Sequence, residues 1–207
     1  VVQLRSGIEP AANRAAAMSL LRQAASAGAR LIATPENTTR MDRNRERMFA
    51  AVGPEKGDPE LLAWGRAAQE LGVWLLMGSG PIATGDGKVF NRSFFFDPDG
   101  KIVARYDKIN LFDVTLGGTE NYRESDTVQG GGQAVVIDGP MGAKLGLTIC
   151  YDVRFAPLYA SLARAGAEII AVPAAFTVPT GQAHWEILLR ARAIETGSFV
   201  IAPAQGG

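Results

Sequence analysis

Cys150 is the only cysteine in a chain of 207 residues, and it stands where an apolar run, Lys144-Leu-Gly-Leu-Thr-Ile-Cys150, passes into Tyr151-Asp-Val-Arg-Phe155. The run predicts a strand and the residues after it a helix. A thiol at such a junction meets backbone N–H donors and the positive end of a helix dipole, which lower its pKa and can hold an oxyanion. The same position also suits a cysteine packed as a small hydrophobe. Two more ionisable groups follow strand-like segments: Glu36 after Arg30-Leu-Ile-Ala-Thr34, and Lys108 within Ala104-Arg-Tyr-Asp-Lys-Ile-Asn110. Singly, such residues are solvated loop positions or caps. Together they offer a thiol, an acid and an amine, groups that can serve as a nucleophile, a proton acceptor and a cation.

Histidine is the usual base for a cysteine nucleophile, and the chain has one, His184. It opens a predicted helix beside Trp185, where a structural or helix-capping role is a better reading than catalysis. Gly78-Ser-Gly-Pro-Ile-Ala83 fits G-x-G-x-x-A after a strand, but Pro81 and the turn Thr84-Gly-Asp-Gly87 replace the helix that nucleotide binding needs. No group of histidine, cysteine and carboxylates has metal-ligand spacing, so neither a cofactor nor a metal is expected.

Lys+Arg and Asp+Glu balance at 21 each, which argues against a nucleic-acid surface or a membrane-binding helix. No apolar stretch approaches the roughly 18 residues of a membrane span. A lone cysteine makes no intramolecular disulfide and fits a reducing compartment, so the expected location is cytoplasmic. With Val1 in place of methionine, a removed targeting segment is left open.

Helix-like and strand-like patterns alternate throughout. Helices are expected at 10–27, 41–51, 58–71, 155–164 and 183–195, and strands at 1–4, 30–34, 73–77, 89–96, 101–106, 144–150, 168–173 and 199–202. The 89–96 and 101–106 strands form a hairpin across Asp97-Pro-Asp-Gly100. This is an α/β pattern, and open α/β sheets put their chemistry at the carboxyl ends of strands.

The segments around the three candidates, Leu31-Ile-Ala-Thr-Pro-Glu36-Asn, Tyr106-Asp-Lys108-Ile-Asn-Leu-Phe-Asp-Val114 and Leu147-Thr-Ile-Cys150-Tyr-Asp-Val-Arg-Phe155, resemble the three signature segments of the nitrilase superfamily of carbon-nitrogen hydrolases. Arg123-Glu124-Ser125 resembles the segment carrying that family's second glutamate. Pro173-Ala-Ala-Phe176 and the run from Gly181 to Glu195 resemble the Nit-type amidase branch, which includes omega-amidase and deaminated-glutathione amidase. The resemblance implies a four-layer αββα sandwich. It implies Glu36, Lys108 and Cys150 as a catalytic triad with Glu124 supporting, and the Tyr151 backbone N–H as an oxyanion donor. The expected reaction is hydrolysis of a small carboxylated amide through a cysteine thioester, releasing ammonia. Arg154 is a candidate for a substrate carboxylate or an internal salt bridge.

Against the family pattern, Asn110 stands where Nit-type members often have histidine, which is expected to alter the pocket wall. The chain is expected to be one carbon-nitrogen hydrolase domain spanning 1–207, incomplete at its C-terminus and without the last strands, with Gly206-Gly207 starting a loop. The helices at 155–164 and 183–195 resemble the family's dimer face, so a homodimer or higher homo-oligomer is expected, with a small amide as ligand and no nucleic-acid or membrane partner. Two other readings stay open: hydrolysis of N-carbamoyl amines or nitriles by the same superfamily chemistry, and a non-catalytic interaction protein on the same fold.

Overall fold

The computed structural model describes residues 1–115 and 121–206. In chain order the elements are α1 (Pro10–Ser26), β1 (Leu31–Ala33), α2 (Arg45–Ala51), α3 (Pro59–Leu71), β2 (Trp74–Ala83), β3 (Val89–Phe96), β4 (Ile102–Asp107), β5 (Asp113–Thr115), β6 (Asn121–Arg123), β7 (Val135–Asp138), β8 (Lys144–Leu147), α4 (Ala156–Arg164), β9 (Ile169–Ala171), α5 (Val178–Thr196) and β10 (Phe199–Ile201). One sheet has the order β1-β2-β3-β4, a second β10-β9-β8-β7, and β5 and β6 form a separate hairpin.

Side-chain alternation along the strands builds the layers. In the first sheet Ile32, Leu75, Met77, Phe94 and Phe96 face α1 and α3, where they pack on Leu21, Leu61 and Trp64. Their neighbours Ala33, Leu76 and Phe95 point the other way, against Leu145, Leu147, Ile149 and Ala171 of the second sheet and its strand ends. On the far side of that sheet, Ile170 and Val172 pack on Tyr159 and Leu162 of α4, with Leu188 and Leu189 of α5 beside them. Helices, sheet, sheet, helices is the expected four-layer αββα order.

The helix ends follow local chemistry. Asp58 caps α3 by accepting from the Glu60 and Leu61 N–H groups, and Asn44 caps α2 by accepting from the Arg47 N–H. That cap makes α2 begin at Arg45 rather than Met41. Residues 1–4 make a single bridge, Leu4 to Gln205, instead of a strand. The strand expected at 73–77 continues to Ala83, across a register shift between Met77 and Gly80, so the G-x-G-x-x-A segment is sheet. Helix α5 begins at Val178, which puts His184 inside the helix rather than at its cap.

Strand direction positions the site. β1 and β2 are parallel, while β3 is antiparallel to both β2 and β4, so β1, β2 and β4 run the same way. In the second sheet β8, β9 and β10 are parallel. Glu36 follows β1, Lys108 follows β4, Cys150 follows β8 and Ala175 follows β9.

Candidate active site

Glu36 is delivered by a tight approach of two backbones. A Cβ at Gly78 would lie 2.0 Å from the Thr34 carbonyl oxygen, so only glycine lets β2 pass the strand end that carries Glu36. Thr34 Oγ1 accepts from the Gly78 N–H at 2.9 Å and fixes this contact. The Glu36 carboxylate is buried, with Oε1 accepting from Asn91 Nδ2 at 2.9 Å and Lys108 Nζ at 3.0 Å, and Oε2 accepting from the Ala175 N–H at 2.8 Å.

Lys108 Nζ also donates to Glu124, at 3.1 Å to Oε1 and 2.8 Å to Oε2. Its backbone is tied to β3 by a 3.0 Å hydrogen bond from its N–H to the Asn91 carbonyl. Glu124 Oε2 accepts from the Phe112 N–H as well, at 2.6 Å. Burial alone pulls the Lys108 ammonium down, but Glu36 and then Glu124 outweigh it and hold the pKa well above the ordinary lysine range. Lys108 is therefore a permanent buried cation.

Cys150 takes a left-handed backbone conformation, φ 50°, which is unfavourable for a residue with a Cβ. Its N–H donates to the Pro173 carbonyl at 2.8 Å, pinning the turn to the neighbouring strand end. The expected helix start is a 3-10 turn, Cys150–Arg154, and α4 begins only at Ala156. The expected lowering of the thiol pKa is overturned. Burial pushes the thiol up, the Glu36 carboxylate adds to it, and Lys108 opposes both without prevailing, so Cys150 stands well above the ordinary thiol value. The sulfur is a neutral thiol near neutral pH and has to lose its proton to a base when it reacts.

Glu36, Lys108, Glu124 and Cys150 line one cavity of about 470 Å³, together with Asn91 and Ala175, within the roughly 300–1,000 Å³ typical of small-molecule sites. Tyr151 follows Cys150 directly but is absent from the cavity lining; outside its own turn, no backbone carbonyl among the described residues takes its N–H. The Tyr151 ring packs edge-on to Phe112 and Phe155. Arg154 is set apart: it does not line the cavity, its Nη2 lies 3.0 Å from His184 Nδ1, and its guanidinium sits over the Tyr151 ring. It pairs with neither Asp152 nor another acid among the described residues. His184 is exposed and outside the cavity, so no cysteine–histidine pair forms.

Two buried residues join the site without having been singled out in the sequence. Asn91 Nδ2 bridges Glu36 and Glu124, at 2.9 and 3.3 Å, while its Oδ1 is buried without a partner among the described residues. Asp152 links the lysine segment to the cysteine segment by accepting from Tyr106 Oη, the Ile149 N–H and Asn110. Asn110 is thus turned toward Asp152 and is absent from the cavity wall. Period-2 alternation was the available signal for Asn91, because it shares a strand face with Val89, Ser93 and Phe95. The Ala175 N–H carries no side-chain signal at all. Among the described residues no group of histidine, cysteine and carboxylates is arranged to hold a metal.

Residues 1–207 match the family described as carbon-nitrogen hydrolase. The deaminated glutathione amidase of Yersinia enterocolitica is 42% identical over 217 aligned positions, covering 100% of this chain and 72% of the relative. Among solved structures, the C. elegans NitFhit protein superposes with a TM-score of 0.89 at 32% identity, over 99% of this chain and 50% of its own. A variant of the amidase from Nesterenkonia sp. AN1, with acrylamide added at its active-site cysteine, superposes with a TM-score of 0.83 at 25% identity, over 99% of this chain and 76% of its own.

Proposed function

The chain belongs to the carbon-nitrogen hydrolase family, and we propose that it hydrolyses the amide of a small carboxylated compound through a thioester on Cys150. The observation that carries this reading is the Lys108 ammonium, held between Glu36 at 3.0 Å and Glu124 at 2.8 Å in the cavity that Cys150 lines.

Glu36 takes the Cys150 proton as sulfur attacks the amide carbon, because a thiol held above its ordinary pKa cannot ionise beforehand. Negative charge moves to the carbonyl oxygen, which meets the Tyr151 N–H and Lys108. An ammonium has three N–H bonds, and this one meets three carboxylate oxygens, two of them on Glu124; giving up the longer Glu124 contact, at 3.1 Å, turns one N–H to the oxyanion. The C–N bond breaks as the proton on Glu36 passes to the leaving nitrogen, and the acyl group stays on sulfur. Water then attacks the thioester, giving its proton to Glu36, which returns it to the departing sulfur. Glu124 keeps Lys108 charged and aimed. Such acid-base positioning is worth about 10²–10⁴-fold and one oxyanion donor about 10²–10³-fold.

Relatives named deaminated glutathione amidase support an amide carrying carboxylates. In a peptide-derived amide of that kind the leaving nitrogen belongs to an amine, whereas an unsubstituted omega-amide releases ammonia; the same residues serve both. Assay of deaminated glutathione, a primary omega-amide of a 2-oxo acid, an N-carbamoyl amino acid and an aliphatic nitrile tests the assignment. Release of the 2-oxo acid from either amide supports it. Faster turnover of the carbamoyl compound or the nitrile, or no turnover with Cys150 resisting electrophiles, overturns it.

We also infer a homodimer and a reducing, cytoplasmic setting. Ile187 and Ile194 are exposed apolar side chains on α5, in the outer helix layer, and the free Cys150 thiol suits a reducing compartment. No helix among the described residues is long and apolar enough to cross a membrane. Light scattering of the purified protein decides the oligomeric state, and a monomer at micromolar concentration rules the dimer out.

A further inference from the structure

The mouth of the cavity carries positive charge that the chemistry beneath it does not use. Among the described residues five cations and three carboxylates line the cavity, and of the cations only Lys108 serves the chemistry, in a chain whose charges balance overall. All three carboxylates are engaged: Glu36 and Glu124 hold Lys108, and Asp42 pairs with Arg47 at 2.6 Å and more distantly with Arg40 at 3.4 Å. No ion pair among the described residues engages Arg43, Arg45 or Arg123. Arg45 lies over the Phe49 ring, 5.4 Å from its centroid, which steadies the guanidinium face and leaves its N–H edge open.

Depth separates these arginines from the reacting groups. Glu36, Lys108 and Cys150 are buried at the floor, whereas Arg43, Arg45 and Arg123 are exposed at the rim. Met48, Val89, Phe112, Val128 and Phe176 supply apolar wall to the same cavity. A ligand that fits has its scissile amide at the floor, an apolar middle and an anion at the rim. Surplus positive charge around a partly enclosed cleft also draws anions in and raises their rate of association.

We propose that Arg43 and Arg45, together with Arg123, form a subsite for a carboxylate on the leaving portion of the substrate, remote from the scissile amide. This rests on the amidase reading above. The leaving portion is the part that must depart while the acyl group stays on sulfur, so an exposed rim suits it better than the closed floor. Guanidinium groups match a carboxylate through paired N–H donors. Arg154, committed to His184 and Tyr151, is not needed for this contact.

The experiment compares wild type with Arg43→Gln/Arg45→Gln on three probes: deaminated glutathione, the same compound with its terminal carboxylate converted to a carboxamide, and the primary amide of 2-oxoglutarate, which has no leaving carboxylate. For the wild type, KM for the first probe is lower than for its carboxamide, on the order of 10-fold as charge-assisted hydrogen bonds allow, and added salt narrows the gap. In the double variant KM for the first probe rises by a similar factor with kcat kept, and the other two probes are unaffected. Arg66→Gln, the same charge change on the exposed side of α3, leaves all three unchanged. Equal KM for acid and carboxamide in the wild type, or an equal rise on all three probes in the variant, overturns the subsite and leaves the amidase reading standing. Failure of the wild type on every probe overturns both.

Discussion

Asp152 holds Asn110 twice through one oxygen: the Asn110 N–H and Nδ2 both donate to Oδ1 at 2.8 Å. The other oxygen accepts from Tyr106 Oη at 2.7 Å and the Ile149 N–H at 2.9 Å. Tyr106 and Asn110 flank Lys108, and Ile149 precedes Cys150, so one buried carboxylate clamps the strand ends that carry the cation and the thiol. Burial raises the Asp152 pKa against these hydrogen bonds, and every lone pair direction it loses to water is replaced by a donor.

Removing that clamp should damage stability and turnover together. Asp152→Ala strands the buried Tyr106 hydroxyl and the Ile149 and Asn110 N–H groups, and a loss of about 3–5 kcal/mol is expected, as for breaking a buried charged network. Asp152→Asn keeps the shape and should retain more of the fold while lowering kcat at near-constant KM. Urea unfolding and steady-state kinetics check both. Unchanged kcat in a folded Asp152→Asn variant would show that the clamp does not position the reacting groups.

Asn91 makes a sharper test, because its two conservative replacements separate. Asn91→Ala removes a donor shared by Glu36 and Glu124, and a fall in kcat/KM of about 10-fold, the worth of a hydrogen bond to a charged group, is expected. Asn91→Asp puts a third carboxylate beside those two, competes for Lys108 and should fall further. The reverse order contradicts the role given to this amide.

Glu124→Gln keeps the hydrogen-bonding shape but withdraws one of the two charges that hold Lys108. Because Glu36 still faces the ammonium, Lys108 stays protonated, and the loss should appear in kcat, by about 10²-fold for a misaimed oxyanion donor, with KM little changed. A KM effect alone would move Glu124 from catalysis to substrate binding.

The pH dependence of Cys150 has a definite sign. Its folded pKa lies above the ordinary thiol value, so the folded chain keeps a proton that the unfolded chain gives up as pH passes about 8.5. Stability is therefore intact below that pH and declines above it relative to Cys150→Ser, because the unfolded state then binds fewer protons. Thiolate absorbance, taken as the difference between wild type and Cys150→Ser, should show a midpoint above the free-thiol value, and Glu36→Gln should lower it by removing a neighbouring negative charge. A midpoint on the acidic side of neutrality, as in thiolate–imidazolium pairs, contradicts this electrostatic account.

What could be read in the sequence was what strands announce. Alternation in Phe94-Phe95-Phe96 sends one ring between the sheets and two toward the helices, and such patterns gave the α/β order. Glu36, Lys108 and Cys150 each follow a strand-like segment, but it was the resemblance of the segments around them to one family's signatures that set the three together. The short strands β5, β6 and β7 were not expected; Asp113–Thr115 and Asn121–Arg123 lack the apolar run that marks the equally short β1, β9 and β10. The direction of the cysteine shift was misread for a related reason. A strand followed by a helix suggests a favourable dipole, but burial and the facing Glu36 carboxylate come from elements distant in the chain and dominate. Asn91 and Asp152 were hidden because their importance lies in partners distant in the chain, Glu36 and Glu124 for one, Tyr106 and Asn110 for the other.

Whether the Cys150 sulfur carries the acyl group in turnover is decided by intact-mass and peptide mass spectrometry of enzyme quenched during hydrolysis of a slow amide. A mass increase equal to the acyl portion, confined to the peptide containing Cys150, is expected, with neither adduct nor turnover in a folded Cys150→Ala variant. An acyl group on another residue, or sustained hydrolysis by that variant, contradicts a thioester on Cys150.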